Sequence, residues 1–193
     1  NTPHPHPQYE LASPRSYFLS NTPPYRRLYD LADSGRLRKS LAGETRRMVG
    51  DPRIRRFVES FCDEWLKLYR HKEMQVDVRQ YGGFTRFVKE DMAKETYGFV
   101  QHCLQKDLNL FTLIDSDFVM IKQNLAEFYG ISGVQGTEFL PVKVAPEVGR
   151  GGLLTQGSFL SGHSDGRHAH PIKRAVWMME RILGESPPPP PPN

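Results

Sequence analysis

Four residues in one short stretch carry side chains able to hold a metal ion: His163, Asp165, His168 and His170, in the pattern H-x-D-x-x-H-x-H. Imidazole and carboxylate suit zinc, copper or iron, and a histidine also ligates haem iron axially. The stretch lies in a loop before Pro171, where side chains are not held to helical directions and several can converge. Its spacing matches no established metal signature. The competing reading puts His170 at the N-cap position ahead of Pro171 and gives the other three to loop hydrogen bonds. Lys173 and Arg174 fall in the first turn of the helix expected from Pro171, where cations oppose the helix dipole, so a neighbouring anion or partner surface is expected there. These residue types name no reaction, and whether the chain is an enzyme stays open on this ground.

The elements that must position this loop read as helices. Asp51-Pro52 is a helix start, a carboxylate cap followed by proline at the first helical position. Ile54, Phe57, Val58, Phe61, Trp65 and Leu68 then recur at steps of three and four, the stripe of an amphipathic helix. A long helix is expected from Phe84 to about Lys106, with Phe87, Val88, Met92, Phe99, Val100 and Cys103 on one side. Glu95 lies near that apolar side, where a carboxylate needs a cationic or hydrogen-bonding partner; structural ion pairing outweighs catalysis as its role. Asp115-Ser116-Asp117 resembles another cap, predicting a helix through Phe118, Ile121, Leu125, Phe128 and Tyr129 that Gly130 stops. Asn124 sits inside it, at a position of poor propensity, and is expected to bond a neighbouring loop. From Ile131 to Val148 the text turns irregular, with room for one short strand. Ile172, Val176, Met179 and Leu183 are the inward stripe expected of the last helix. The predicted fold is all-α: a multi-helix bundle with a loop-rich C-terminal third, ending in a short helix and the polyproline run Pro187 to Pro192.

Composition bounds the rest. Hydrophobic residues are 38% and charged residues 25%, an ordinary globular balance, and the net charge is +4. The basic excess is local, with ten Lys or Arg against four Asp or Glu between Arg26 and Arg56. A solvated helix surface accounts for it, so nucleic acid is not an expected partner, and a polyanion-binding surface is the minor reading. No apolar run approaches the roughly 20 residues that cross a bilayer. Cys62 and Cys103 stand alone, outside any C-x-x-C-H, so no covalently attached c-type haem is expected on this chain. Two separate core thiols are the default; an oxidising compartment would make a bridge between them worth testing. The start at Asn1 and the abrupt end in proline suggest a piece of a longer protein.

Several motifs agree in order with one family. The run Asn124-Leu125-Ala126-Glu127-Phe128-Tyr129-Gly130-Ile131 is similar to an N-x-x-L-A-x-x-Y-G-I signature, and Arg150 to Gln156 matches an R-G-G-L-L-T-Q turn. His170-Pro171-Ile172-Lys173-Arg174, Trp177 and the polyproline run resemble a P-[IV]-K-R-G-x-W motif followed by prolines, with Ala175 standing where that family has glycine. The chain thus resembles planctomycete multidomain proteins in which domains of unknown function are joined to a c-type cytochrome domain. Residues 1–8 alternate proline with histidine and are expected to form an extended arm, and Leu11, Phe18 and Leu19 predict a helix within 9–19 that Pro14 delays or kinks. The resemblance implies a helical domain of unknown function over 9–144 and the N-terminal part of a second such domain over 145–193. It implies an exported, periplasmic or cell-surface setting, and partners among the other domains of the same polypeptide, a haem-bearing cytochrome c domain included. On that ground the expected role is a non-catalytic accessory or docking module supporting electron transfer. The alternative is a metal- or haem-dependent oxidoreductase domain using His163, His168 and His170. Asn124, Arg150, Lys173, Arg174 and Trp177 are the other residues singled out by these motifs.

Overall fold

In the computed structural model, residues 26–188 are described. The expected arm over 1–8, the helix expected within 9–19 and the last prolines of the run lie outside them. Eight α-helices and one two-stranded sheet occur among the described residues, so the fold is mostly helical rather than all-α. The helices are α1 (Arg26–Asp33), α2 (Leu41–Val49), α3 (Ile54–Leu66), α4 (Tyr69–Glu73), α5 (Arg86–Gln105), α6 (Gln123–Tyr129), α7 (Gly157–Gly162) and α8 (Pro171–Met178), the last running on into a single π-helical turn, Met179–Leu183. No helix among the described residues is long and apolar enough to cross a membrane.

The chain divides into two compact units, 1–60 with 101–108, and 61–100 with 109–193. In the first unit, Leu28, Ala32, Leu37, Met48, Ile54 and Val58 form the buried apolar set. Glu44 is buried with them and is held by two guanidinium Nε groups, Arg27 and Arg47, each at 2.8 Å. Those contacts outweigh its burial and keep its carboxyl below the ordinary range. Asp51 accepts the Arg53 amide at 2.9 Å and turns the chain into α3. Ser40 stands at the N-cap of α2 without a side-chain capping bond.

The second unit is built on α5. Val88, Met92, Val119, Ile121, Leu125 and Ala126 form one apolar cluster, with Phe84, Tyr129 and Phe139 packed against it. Thr85 Oγ1 accepts the Val88 amide at 3.2 Å and caps the start of α5. The helix expected from Phe118 is instead a strand: β1 (Phe118–Ile121) pairs antiparallel with β2 (Leu140–Lys143), Phe118 opposite Lys143 and Ile121 opposite Leu140. All four residues of β1 are buried, so no face alternates and periodicity could not reveal it. The helical pattern survives only in α6, which Gly130 ends at φ 72°.

Three helical faces also differ from their expected register. Ile54, Val58, Cys62 and Leu66 are buried at steps of four, whereas Phe61 is exposed. Phe87 faces solvent, and Phe128 is only partly covered. In α8 the buried residue is Trp177, while Ile172 and Leu183 face outward. Cys62 and Cys103 are both buried and form no disulfide, and burial pushes the Cys103 thiol up to about 11.

Candidate functional site

Helix α5 buries side chains over four consecutive turns, and three of the buried residues are polar: Asp91, Glu95 and Thr96. Glu95 Oε2 accepts a hydrogen bond from Tyr129 Oη at 2.7 Å, and that oxygen in turn accepts the Gly157 amide at 3.1 Å. The Arg150 guanidinium lies 3.4 Å from the centre of the Tyr129 ring and donates through Nη1 to the Thr155 carbonyl at 3.0 Å. Burial is the largest influence on Glu95 and pushes its carboxyl up to about 7, against the lowering pull of Tyr129 and Arg150. Burial, then the charge of Glu95, hold the Tyr129 phenol well above its ordinary value, so it remains the donor. Glu95 Oε1 is buried without a partner, which a neutral carboxylic acid tolerates far better than a carboxylate.

The R-G-G-L-L-T-Q turn supplies most of the partners. A Cβ on Gly151, at φ 152°, would run into the Ser116 carbonyl, and one on Gly152, at φ 71°, into the Ile114 carbonyl. Glycine is therefore what lets this backbone lie against 114–116, where Ser116 Oγ accepts the Gly152 amide at 3.0 Å. Thr155 Oγ1 closes the turn on the Gly151 amide at 2.8 Å. Thr96 Oγ1 donates to Gln156 Oε1 at 2.7 Å and meets Ser158 Oγ at 2.6 Å. A Cβ on Gly157 would overlap Tyr129 Oη and press on the Met92 side chain at 2.8 Å. Each glycine and polar residue of the motif has a contact that fixes it.

A second buried pair joins α4 to α7. His71 Nε2 faces the Lys89 carbonyl at 2.8 Å, and Nδ1 faces Ser161 Oγ at 2.6 Å. Burial, the largest influence, lowers the imidazole to about 4, so it is neutral. A carbonyl only accepts, which puts the proton on Nε2; Ser161 Oγ lies 2.6 Å from both Nδ1 and the Gly157 carbonyl, so two acceptors compete for its single proton. The arrangement has the outline of a nucleophile and its base. A base at about 4 gives little driving force for proton abstraction near neutrality, so the pair serves to tie the two helices.

Tyr129, Arg150, Gly157 and Ser161 all border a cleft of about 270 Å³. Its walls carry Tyr81, Phe84 and Phe128, and its basic residues are Arg150, Arg167, His168 and Arg174. Lys173 and Trp177 border a different cleft, of about 660 Å³, with Lys67, Arg70, Glu73 and Glu180 among its neighbours.

The histidine loop is split. His163 is buried; its Nδ1–H donates to the Phe159 carbonyl at 2.9 Å, and its ring packs against Phe159 and Trp177, centroids 4.6 and 5.9 Å away. Its Nε2 has no partner. Burial lowers its pKa, aided by the charges of Arg70, Arg174 and Lys173. Asp165 instead turns outward and accepts the Arg167 and His168 amides at 2.8 and 2.6 Å. Those amides, with the adjacent histidines, hold its carboxyl down at about 2. His168 Nδ1 and His170 Nε2 each lie 3.6 Å from Asp165 Oδ2. No group of three or more His, Cys, Asp or Glu side chains among the described residues is arranged to hold a metal ion. His170 does occupy the N-cap position of α8, without a side-chain capping bond. Asn124 lies in the first turn of α6 and donates to Asp91 on α5 at 2.8 Å, a helix rather than the expected loop. Lys122 meets the same carboxylate at 2.9 Å.

Sequence reasoning flagged Glu95 but not its main partner. Tyr129 and Gly130 end the same short motif, and the tyrosine reads as core until its hydroxyl is seen to need a partner. Ser161 and His71 carried no signal, being ninety residues apart.

Residues 7–131 match the family model named PSD4, protein of unknown function (DUF1592), and residues 150–193 match that named PSCyt3, protein of unknown function (DUF1588). No curated protein and no solved structure matches the chain.

Proposed function

Starting from the fact that the chain belongs to the DUF1592 family, which covers residues 7–131, and carries a DUF1588 match behind it, we propose that it is a non-catalytic accessory module of a larger cytochrome c-linked polypeptide. In that role it docks a haem-bearing domain of the same polypeptide and supports electron transfer in an exported setting. The observation that carries this reading is the Glu95–Tyr129–Arg150–Gly157 knot. Glu95 and Tyr129 come from the first matched segment, Arg150 and Gly157 from the second, and the contacts between them are buried hydrogen bonds and a cation over an aromatic face. Polar groups of that kind hold adjoining segments in one fixed relation, as a scaffold must. The perturbed groups, Glu95, His71 and His163, are each spent on burial and internal contacts.

The test uses the complete polypeptide that carries this segment. Haem reduction is followed by stopped flow in the whole protein and in a Gly152→Val variant, which forces the R-G-G turn off 114–116. The docking role predicts slower haem reduction with an unchanged haem spectrum. An unchanged rate in a variant whose turn is shown to be displaced overturns it.

A further inference from the structure

We infer that the 270 Å³ cleft of the second unit is a binding site for a small aromatic carboxylate, its anionic end on Arg174 and its ring among Tyr81, Phe84 and Phe128. Charge supports the anion. The cleft is bordered by Arg150, Arg167, Arg174 and His168 and by no Asp or Glu. Three of those basic groups are engaged: Arg150 over Tyr129 and on the Thr155 carbonyl, Arg167 with Asp77 at 3.0 Å, and His168 beside Asp165. Arg174 differs. Its Nε is buried with no hydrogen-bond partner, and its Nη2 reaches only the Leu160 carbonyl at a long 3.4 Å. A buried guanidinium donor without an acceptor is costly, and the fork geometry of the group fits a carboxylate with two parallel bonds.

The walls decide what the anion is attached to. Met74, Val76, Met92 and Leu160 add apolar surface to the aromatic rings, and Tyr81 and Phe128 remain partly exposed at this cleft. Phe84 and Phe128 meet edge to face at 5.9 Å, a geometry that a third ring extends. Free phosphate would gain little from the hydroxyls at the cleft, because Tyr81, Tyr129, Ser161 and Ser164 already donate to protein acceptors. A volume of 270 Å³ is at the small end of ligand pockets, room for a single ring system. The carboxylate is either free in solution or the end group of a polymer; both present the same chemistry.

The inference does not depend on the docking role, because it is read by ligand binding alone. The full chain is titrated with benzoate and followed by amide NMR, with inorganic phosphate and benzylamine as controls and 4-carboxyphenyl-tagged dextran, which keeps its carboxylate free, as the polymer-borne arm. The expected result is saturable benzoate shifts at Gly157 and Gly166, absent with phosphate and benzylamine. Binding weakens at least about tenfold in Arg174→Gln, the loss of one charge-assisted contact. Ala169→Asp, which adds a carboxylate at an exposed lining position, is expected to weaken it as well, and serves should Arg174→Gln fail to fold. Tighter binding of free benzoate than of the tagged polymer assigns the site to a small molecule, and the reverse to a chain end. No saturable shift, an equal response to phosphate or benzylamine, or undiminished affinity in a folded variant overturns the inference.

Discussion

Replacing Glu95 with glutamine should remove one component of the pH dependence of stability, by an amount the structure sets. The carboxyl is fully buried and its folded value is raised from 4.5 to about 7. Below 4.5 both folded and unfolded chains hold the proton, and this group leaves stability unchanged. Between 4.5 and about 7 the unfolded chain ionises first, so the native state is progressively penalised; above about 7 the penalty is constant. The interval, at roughly 1.36 kcal/mol per pH unit, is worth about 3 kcal/mol. His71 acts with the opposite sign: its lowered value means stability is lost as pH falls from 6.5 towards about 4. The two slopes oppose one another in the wild-type chain, so its own profile is uninformative. The difference between wild type and Glu95→Gln isolates the first, since the His71 contribution cancels. Glutamine still accepts from Tyr129, and its buried amide adds a penalty that does not vary with pH. Urea unfolding at pH 4.5, 6 and 8 is the assay. The variant should gain about 3 kcal/mol relative to wild type between the lowest and highest pH. Parallel profiles would mean that Glu95 is ionised in the folded chain or reached by water, and would refute the account of the knot.

Gly152→Ala should destabilise the chain by at least about 2 kcal/mol more than Gly149→Ala, measured by urea unfolding. Both residues have positive φ, at 71° and 65°, but only Gly152 lies against a neighbouring carbonyl, so equal costs would show that the close approach to Ile114 is absent. Asn124→Leu should cost about 1–3 kcal/mol, because the buried Asp91 keeps Lys122 but loses its amide donor; an unchanged midpoint would show that the pairing is solvent-relaxed. Zinc titration should leave the His163 ring resonances in place, since its Nδ1 is bonded to Phe159 and its ring is packed on Trp177. Stoichiometric shifts of His163 together with His168 would instead restore the metal-loop reading. Heparin should release the chain at low salt, as Glu44, Asp51 and Glu59 already pair with Arg27, Arg47, Arg53 and Arg55; retention at high salt would favour the polyanion surface.

What the sequence settled by itself was whatever depends on neighbours along the chain. Asp51-Pro52, Pro171 and Gly130 punctuate helices through local sterics and local hydrogen bonds, and they stand at or beside the observed ends of α3, α8 and α6. The three-and-four spacing located α3 and α5 but blurred which side is buried, because Phe57, Phe61 and Phe87 are as apolar as the residues that do face inward. Tertiary structure decided the rest. Phe118 to Ile121 is apolar at every position, so only the presence of β2 to accept its hydrogen bonds makes it a strand. The same holds for chemistry. His163, Asp165, His168 and His170 are close in sequence, yet burial against Trp177 takes the first away from exposed Asp165 and His168 and half-buried His170. Glu95, Tyr129, Arg150 and Gly157 are far apart in sequence and meet only because two glycines let the backbone of 151–152 lie on 114–116. Spacing along a chain carries no information about such a meeting, since it is fixed by the packing of elements whose partners lie elsewhere.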